Sequence, residues 1–293
     1  NCLKLMNRDK IVVCICSRKF NYNLVKLLQN IFENKINYNL NIKVLIVFNN
    51  SKKINSLQEK AIKKNLKKIK YKISYEKKVG ISNARNKILK ELKNLNFKYC
   101  CFLDDDCIIK KNFLISHLNL IEKSACKIVG GPQFYKSKKA FFRFFERNFQ
   151  NKSWVSWVST NNVFFEKSIL NYNLLFSNLV SQYGFGEDQL YFSRLTKLGE
   201  KIIWNKNPVY EITQKKRENI KWFLIRNFKY GLTGILIDTE IYGFLKAFLL
   251  NLMKLIFNLC LSIYYLLILP LNPISNFYKC LGFFFRFLGR TFN

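Results

Sequence analysis

At 293 residues with 49% hydrophobic side chains, the chain can bury a sizeable core, which excludes global disorder. Its formal net charge of +32, from 50 Lys and Arg against 18 Asp and Glu, admits nucleic acid, an anionic membrane surface, or codon drift in an A/T-rich genome. Nine cysteines without a C-x-x-C pair and one histidine, His117, leave a zinc cluster or a Ser-His-Asp triad without supporting spacing.

The stretch Asn1–Lys10 is short and polar and does not read as a secretory leader. Ile11–Cys16 (IVVCIC) is a continuous apolar run that predicts a strand buried on both faces. Asn23–Glu33 carries Leu24, Leu27, Leu28 and Ile31 at helical spacing, and Ile42–Phe48 reads as a second strand ended by Asn49, Asn50 and Ser51. A Lys-rich helix over Ile54–Lys68, a strand over Tyr71–Tyr75, and a helix over Ser82–Leu92 opened by Gly80 follow. Lys98–Leu103 is a fourth strand that runs straight into Asp104. Strand alternating with helix over this half predicts a parallel sheet with helices on both faces, where ligands bind beyond the carboxyl ends of the strands. Cys14, Cys16, Cys100 and Cys101 lie inside these apolar runs and read as small buried hydrophobes, consistent with a reducing compartment.

Beyond this half the pattern is mixed. A helix is expected over Phe113–Lys123, a strand over Lys127–Gly131, and extended structure over Trp154–Phe165 broken at Thr160-Asn161-Asn162. Gly184–Gly186 leads into a helix over Glu187–Leu198 that Gly199 closes. Strands at Lys201–Trp204 and Val209–Ile212 precede a helix over Glu218–Tyr230, expected to stop at Gly231. From Phe244 to Leu269 the chain is mostly Leu, Ile, Phe and Tyr, with polar interruptions three to five residues apart. Two lysines would be costly at mid-bilayer, so an amphipathic helix lying in the membrane interface is expected, with Phe-rich Gly282–Phe292 as a second anchor. Two units follow from this: a catalytic domain over residues 8–235 and a hydrophobic helical tail over 236–293. A cut after Gly231 is expected to yield soluble protein.

Two acidic clusters carry the chemistry. Asp104, Asp105 and Asp106 repel one another at the end of an apolar strand, and a divalent cation such as Mg²⁺ or Mn²⁺ would offset the cost. Asp104 and Asp106 would share a face if strand geometry persisted through them. Glu187 and Asp188 open a helix, where capping alone would account for two acids. A carboxylate there is also rigidly aimed and can take a proton from an attacking hydroxyl. Val79–Asn86 (VGISNARN) sets a glycine turn before Arg85 and Asn86, a combination suited to phosphate.

In order along the chain these segments resemble the family 2 glycosyltransferases of the GT-A fold. The series is IVVCICSRKF, VLIVFNNS, VGISNARN, CCFLDDDCII, Gly130-Gly131, STNNVFF, GFGEDQLYFSRLTKLGEKIIW and VYEITQKKRENIKWFLIRNFKYG, spanning roughly residues 10 to 231. The resemblance implies a Rossmann-like mixed sheet flanked by helices, a nucleotide-diphospho-sugar donor, a divalent cation, and inversion by direct displacement. It implies that Asp104 and Asp106 ligate the metal, with Asp104 and Asp105 beside the nucleotide. Asp188 becomes the general base and Glu187 its neighbour at the acceptor. Ser17, Asn49, Arg85 and Asn86 would line the nucleotide pocket, and Thr160 and Asn162 the acceptor side. Two departures stand out: Asn49-Asn50 replaces an Asp common in relatives, and Glu211 stands where many carry a His after the GED helix. The expected activity is hexosyl-type transfer to a saccharide or lipid-linked acceptor in cell-envelope polysaccharide or glycoconjugate synthesis, at the cytoplasmic face of the membrane. A catalytically inactive assembly partner of the same fold is the alternative. Scattered basic residues and the absence of a zinc-finger, RRM or helix-turn-helix signature speak against nucleic acid as a partner.

Overall fold

The computed structural model describes residues 10–49 and 53–292; the polar start up to Asp9 and the turn residues Asn50 and Ser51 lie outside the described residues. Every residue of β1 (Ile11–Ser17) is buried, because the strand runs inside a sheet covered on both faces. Its side chains alternate: Ile11, Val13 and Ile15 enter one core, Val12, Cys14 and Cys16 the other. There follow α1 (Tyr22–Tyr38), β2 (Ile42–Asn49), α2 (Ser56–Leu66), β3 (Lys70–Glu76), α3 (Ile81–Lys93) and β4 (Tyr99–Asp104). Asn21 caps α1 by accepting from the Leu24 amide at 2.8 Å, and Asn55 with Gln58 forms a capping box on α2. The strand order β3-β2-β1-β4 is parallel throughout, as the alternating pattern predicts.

The chain continues through β5 (Cys107–Ile109), α4 (Phe113–Glu122), β6 (Ile128–Gly130), β7 (Gln133–Lys136), β8 (Trp154–Val155) and β9 (Val163–Glu166). Next come α5 (Asn178–Ser181), α6 (Glu187–Lys197), β10 (Ile202–Trp204) and β11 (Val209–Ile212). β9 inserts antiparallel between β4 and β6, and with β10 and β8 the main sheet reaches eight strands. A second sheet, β5-β11-β7, stands beyond the end of β4. Its strands have three or four residues, too few for periodicity to reveal β5 and β7 in the sequence. Within Trp154–Phe165 the backbone is strand only at its two ends, and Thr160–Asn162 forms a 3-10 turn. Burial raises the thiols of Cys14, Cys100 and Cys101 and pushes Cys16 up to about 12, so these cysteines serve as packing groups. His117 is also core: it packs on Phe113 with ring centres 4.4 Å apart, and burial pushes it down to about 4.

Three helices complete the fold: α7 (Ile220–Tyr242), α8 (Phe244–Leu267) and α9 (Pro273–Thr291). Contrary to the expected stop, α7 runs straight through Gly231. A Cβ there would lie 2.4 Å from the Arg286 carbonyl and 2.8 Å from Gly289 Cα, and one at Gly289 would lie 1.9 Å from the Phe228 carbonyl. The two glycines let α7 and α9 cross backbone to backbone, which sets how closely the helices approach. The boundary expected at residues 235 and 236 falls inside α7. A cut after Gly231 would also remove Tyr278 of α9 from the aromatic cluster around Phe141 and Phe223.

α8 is long and apolar enough to cross a membrane by length and composition. Its polar interruptions mostly turn inward. Lys254 pairs with Asp238 of α7 at 2.7 Å, Asn251 accepts from Arg290 of α9 at 2.7 Å, and Ser262 donates to the Cys280 carbonyl at 3.1 Å. Phe248, Leu252, Ile256 and Ile263 are left exposed on the outer face.

Candidate active site

β4 is buried until its last residue, so Asp104 emerges at the carboxyl end of a central strand. The condition for a shared face is not met: Asp105 and Asp106 form a turn into β5, which splits the triplet three ways. Asp105 turns back to β1, where it accepts from Ser17 Oγ at 2.5 Å and from Asn21 Nδ2 at 2.6 Å. Asp104 accepts from Arg85 Nη2 at 3.4 Å. Asp106 lies toward Glu211 of the second sheet; burial, followed by the charges of Glu211, Asp104 and Asp105, pushes it up to about 8.

The second acidic cluster reaches the same place. Gly186 precedes α6 with φ +98°, and a Cβ on it would meet Val180 at 2.8 Å and Ile237 at 3.3 Å. Only glycine fits that conformation and that gap, and the turn brings the first residues of α6 to Arg85. Glu187, 4% exposed, accepts from Arg85 Nη1, so one guanidinium from α3 joins Asp104 to Glu187. Asp188 accepts from the Gln189 amide at 2.8 Å and from the backbone amide of Thr160. Burial raises the Asp188 carboxyl above its ordinary range; the Arg85 charge opposes the shift and Asp104 adds to it.

The remaining residues expected at the site divide in two. Ser17, Asp105 and the Thr160 backbone take part in the arrangement just described. Asn49 instead ties the end of β2 to the turn between β3 and α3, donating to the Lys78 carbonyl at 2.7 Å and accepting from the Gly80 amide at 3.0 Å. Asn86 holds the backbone of Phe176 through both ends of its amide, at 2.9 and 2.8 Å. Asn162 is fully buried and donates to the Pro132 and Asn207 carbonyls at 2.8 and 3.2 Å. In the structure these three amides are bonded to backbone groups. Asn21, absent from the expected set, holds Asp105; its signal in the sequence was its position as the α1 cap.

Among the described residues no group of three or more His, Cys, Asp or Glu side chains forms a ready metal cage. Mg²⁺ typically takes one or two carboxylates and completes its shell with phosphate oxygens and water. Asp104 and Asp106 can supply that pair, and the carboxylates of Glu211, Asp104 and Asp105, which add to the effect of burial on Asp106, are negative charge a cation would offset. Glu211 is already engaged by Gln133 and by Arg217 at 2.8 Å.

A family model described as Glycosyl transferase family 2 matches residues 11–181. No curated protein matches the chain. Among solved structures, the mannosyltransferase PcManGT from Pyrobaculum calidifontis, in complex with GDP-Man and Mn²⁺, is similar with a TM-score of 0.64 and 12% identity. The match covers 98% of this chain and 88% of that one. TarS 1–349 from S. aureus is similar with a TM-score of 0.54 and 15% identity over 79% of this chain. A longer TarS chain gives 0.54 and 13% over 96%. This chain spans 65% and 55% of those two TarS chains. The shared architecture is the GT-A fold, a mixed sheet flanked by helices, here followed by an apolar C-terminal helix.

Proposed function

Because the chain belongs to glycosyl transferase family 2, we propose that it transfers a hexosyl group from a nucleotide-diphospho-sugar to an acceptor hydroxyl, with inversion at the anomeric carbon. The observation that carries this reading is the Arg85 guanidinium, bonded to Asp104 from one acidic cluster and Glu187 from the other. Acids 83 residues apart in sequence thereby meet on one guanidinium. The complex of the similar mannosyltransferase with GDP-Man and Mn²⁺ supports a nucleotide-sugar donor and a divalent cation.

In this reading Asp104 and Asp106 hold the cation, which neutralises the diphosphate leaving group when bound. Ser17 and Asn21 fix Asp105 beside them. Asp188 takes the proton from the acceptor hydroxyl as its oxygen bonds to the anomeric carbon and the bond to the diphosphate breaks on the opposite face. The amides of Gln189 and Thr160 hold that carboxylate in place. Glu187, paired with Arg85, borders the acceptor. Attachment to the cytoplasmic face of the membrane through α8, and a saccharide or lipid-linked acceptor in envelope glycan synthesis, belong to the same proposal; the exposed apolar face of α8 supports it.

Donor turnover with Mn²⁺ or Mg²⁺, compared between wild type and Asp188→Asn, tests the mechanism. The expected loss is about 10²- to 10⁴-fold, with affinity for nucleotide and Mn²⁺ retained. Since burial raises Asp188, the rising limb of the wild-type pH–rate profile should lie above the ordinary aspartate range. Equal, metal-independent rates in the two proteins would refute the assignment.

A further inference from the structure

Two arginines, Arg226 and Arg286, lie against Tyr230, and a third, Arg147, stacks on Trp157 within reach of the charges of Asp188 and Tyr230; the mechanism above uses none of them. Arg226 lies one turn before Tyr230 on α7 and donates to its hydroxyl at 3.1 Å and to the Tyr135 hydroxyl at 3.4 Å. Arg286 arrives from α9, its guanidinium carbon 5.4 Å from the centre of the Tyr230 ring and its Nε bonded to Asn227 at 2.9 Å. Arg147 lies over Trp157 at 3.8 Å and donates to the Trp157 carbonyl at 3.2 Å; Asp188 and Tyr230 are the groups whose charge acts on it. Phe185, two residues before Glu187, packs on Tyr230 with ring centres 4.5 Å apart, so this recess adjoins the start of α6.

The charge here is unbalanced. Arg85, Arg194, Arg217 and Arg290 each have a carboxylate within 4 Å, whereas among the described residues Arg147, Arg226 and Arg286 have none. Glu211 acts on Arg226 from a distance, but its own bonds go to Gln133 and Arg217. All three arginines are half-buried, and burial pushes both Arg147 and Arg286 down to about 10. For Arg147 and Arg286 a cation held partly out of water without an anion is unfavourable, and aromatic faces offset only part of the cost; at Arg226 burial works the same way but Tyr135, Tyr230 and Glu211 outweigh it. The terminal nitrogens of Arg286, one of Arg226 and one of Arg147 have no protein acceptor among the described residues. Such planar forks match phosphate oxygens.

We infer that Arg147, Arg226 and Arg286 form a recognition site for a phosphate group carried by the acceptor, holding it so that the acceptor hydroxyl meets Asp188. The inference rests on the glycosyl-transfer reading for the word acceptor, while the anion site stands on the arginines themselves. A phosphate at the head of a lipid and one on a soluble glycan share this chemistry. The arginines of α7 and α9 belong to the same helical unit as the exposed apolar face of α8, so both sources can reach it.

The test uses the full chain in a neutral detergent, with tryptophan fluorescence followed as dodecyl phosphate or inorganic phosphate is added. Affinity for UDP and GDP with Mn²⁺ is measured in parallel by calorimetry. Saturable dodecyl phosphate binding is expected, weakened about tenfold or more by Arg226→Gln and by Arg147→Gln, with nucleotide affinity falling less than about twofold. Arg147 lies on a loop, so its variant reports even if a change in α7 unfolds the protein. Binding of dodecyl phosphate alone identifies a lipid-borne phosphate; binding of both ligands identifies a phosphate that needs no lipid. Absence of saturable phosphate binding in the wild type overturns the inference. So does an equal loss of nucleotide affinity in the variants, which would give the arginines to the donor diphosphate. Phosphate binding without nucleotide binding would uphold the anion site and remove the glycosyl-transfer reading instead.

Discussion

Arg85 is the residue on which the cleft turns. It is 5% exposed and holds two carboxylates from different parts of the chain, one of them nearly sealed from solvent. Removing its charge leaves Glu187 buried without a partner, which costs about 3–5 kcal/mol. Arg85→Met is therefore expected to lose that much stability in denaturant unfolding. The double change Arg85→Met with Glu187→Met should regain most of it without restoring donor turnover. A double variant as unstable as the single one would show that the pair is not the source. At this scale the sequence was informative where chemistry is unusual. Three adjacent aspartates, and a Gly-Glu-Asp at a helix start, are visible without coordinates. It was uninformative about scaffold bonds: nothing in the letters shows that Asn86 is bonded to the Phe176 backbone. The arginines near Tyr230 and Trp157 were equally silent, because residues 147, 226 and 286 are far apart until α7 and α9 pack together.

Among the elements, the parallel half of the sheet was legible because each of β1, β2 and β4 is a run of buried apolar residues. The strands β5 and β7 were not, being held by pairing with β11 rather than by any pattern of their own. Gly231 was misread for a related reason. Glycine marks a helix end when it supplies a left-handed turn, yet here it supplies room for Gly289 of α9. Gly289→Leu should force the two helices apart and destabilise the fold by about 1–3 kcal/mol. A thermal melt can check this, and an unchanged midpoint would mean the crossing is looser than the 1.9 Å clearance implies.

On the scale of the molecule, the tail is one-sided. Asp238, Lys254, Asn251 and Arg290 bond to one another on its inner side, and large apolar side chains cover the outside of α8. Contiguous exposed apolar surface of this kind marks a contact with lipid or another macromolecule. The full chain is expected to sediment with vesicles containing anionic lipid. Replacing Phe248, Leu252 and Ile256 together by Ser should weaken that binding by about tenfold or more while leaving the melting temperature unchanged. Sedimentation equal to wild type would exclude this face as the contact.

The 23 residues of α7 form one rod, about 34 Å long at 1.5 Å per residue. Trp222, Arg226 and Tyr230 belong to its first half and Asp238 to its last turns, with no loop between them. If α8 rests on a bilayer, nothing along that rod can flex to raise or lower the cleft. On the proposed glycosyl-transfer reading the site then has a fixed working altitude, and the protein would sort acceptors by how far their reactive hydroxyl stands off the lipid as well as by their chemistry.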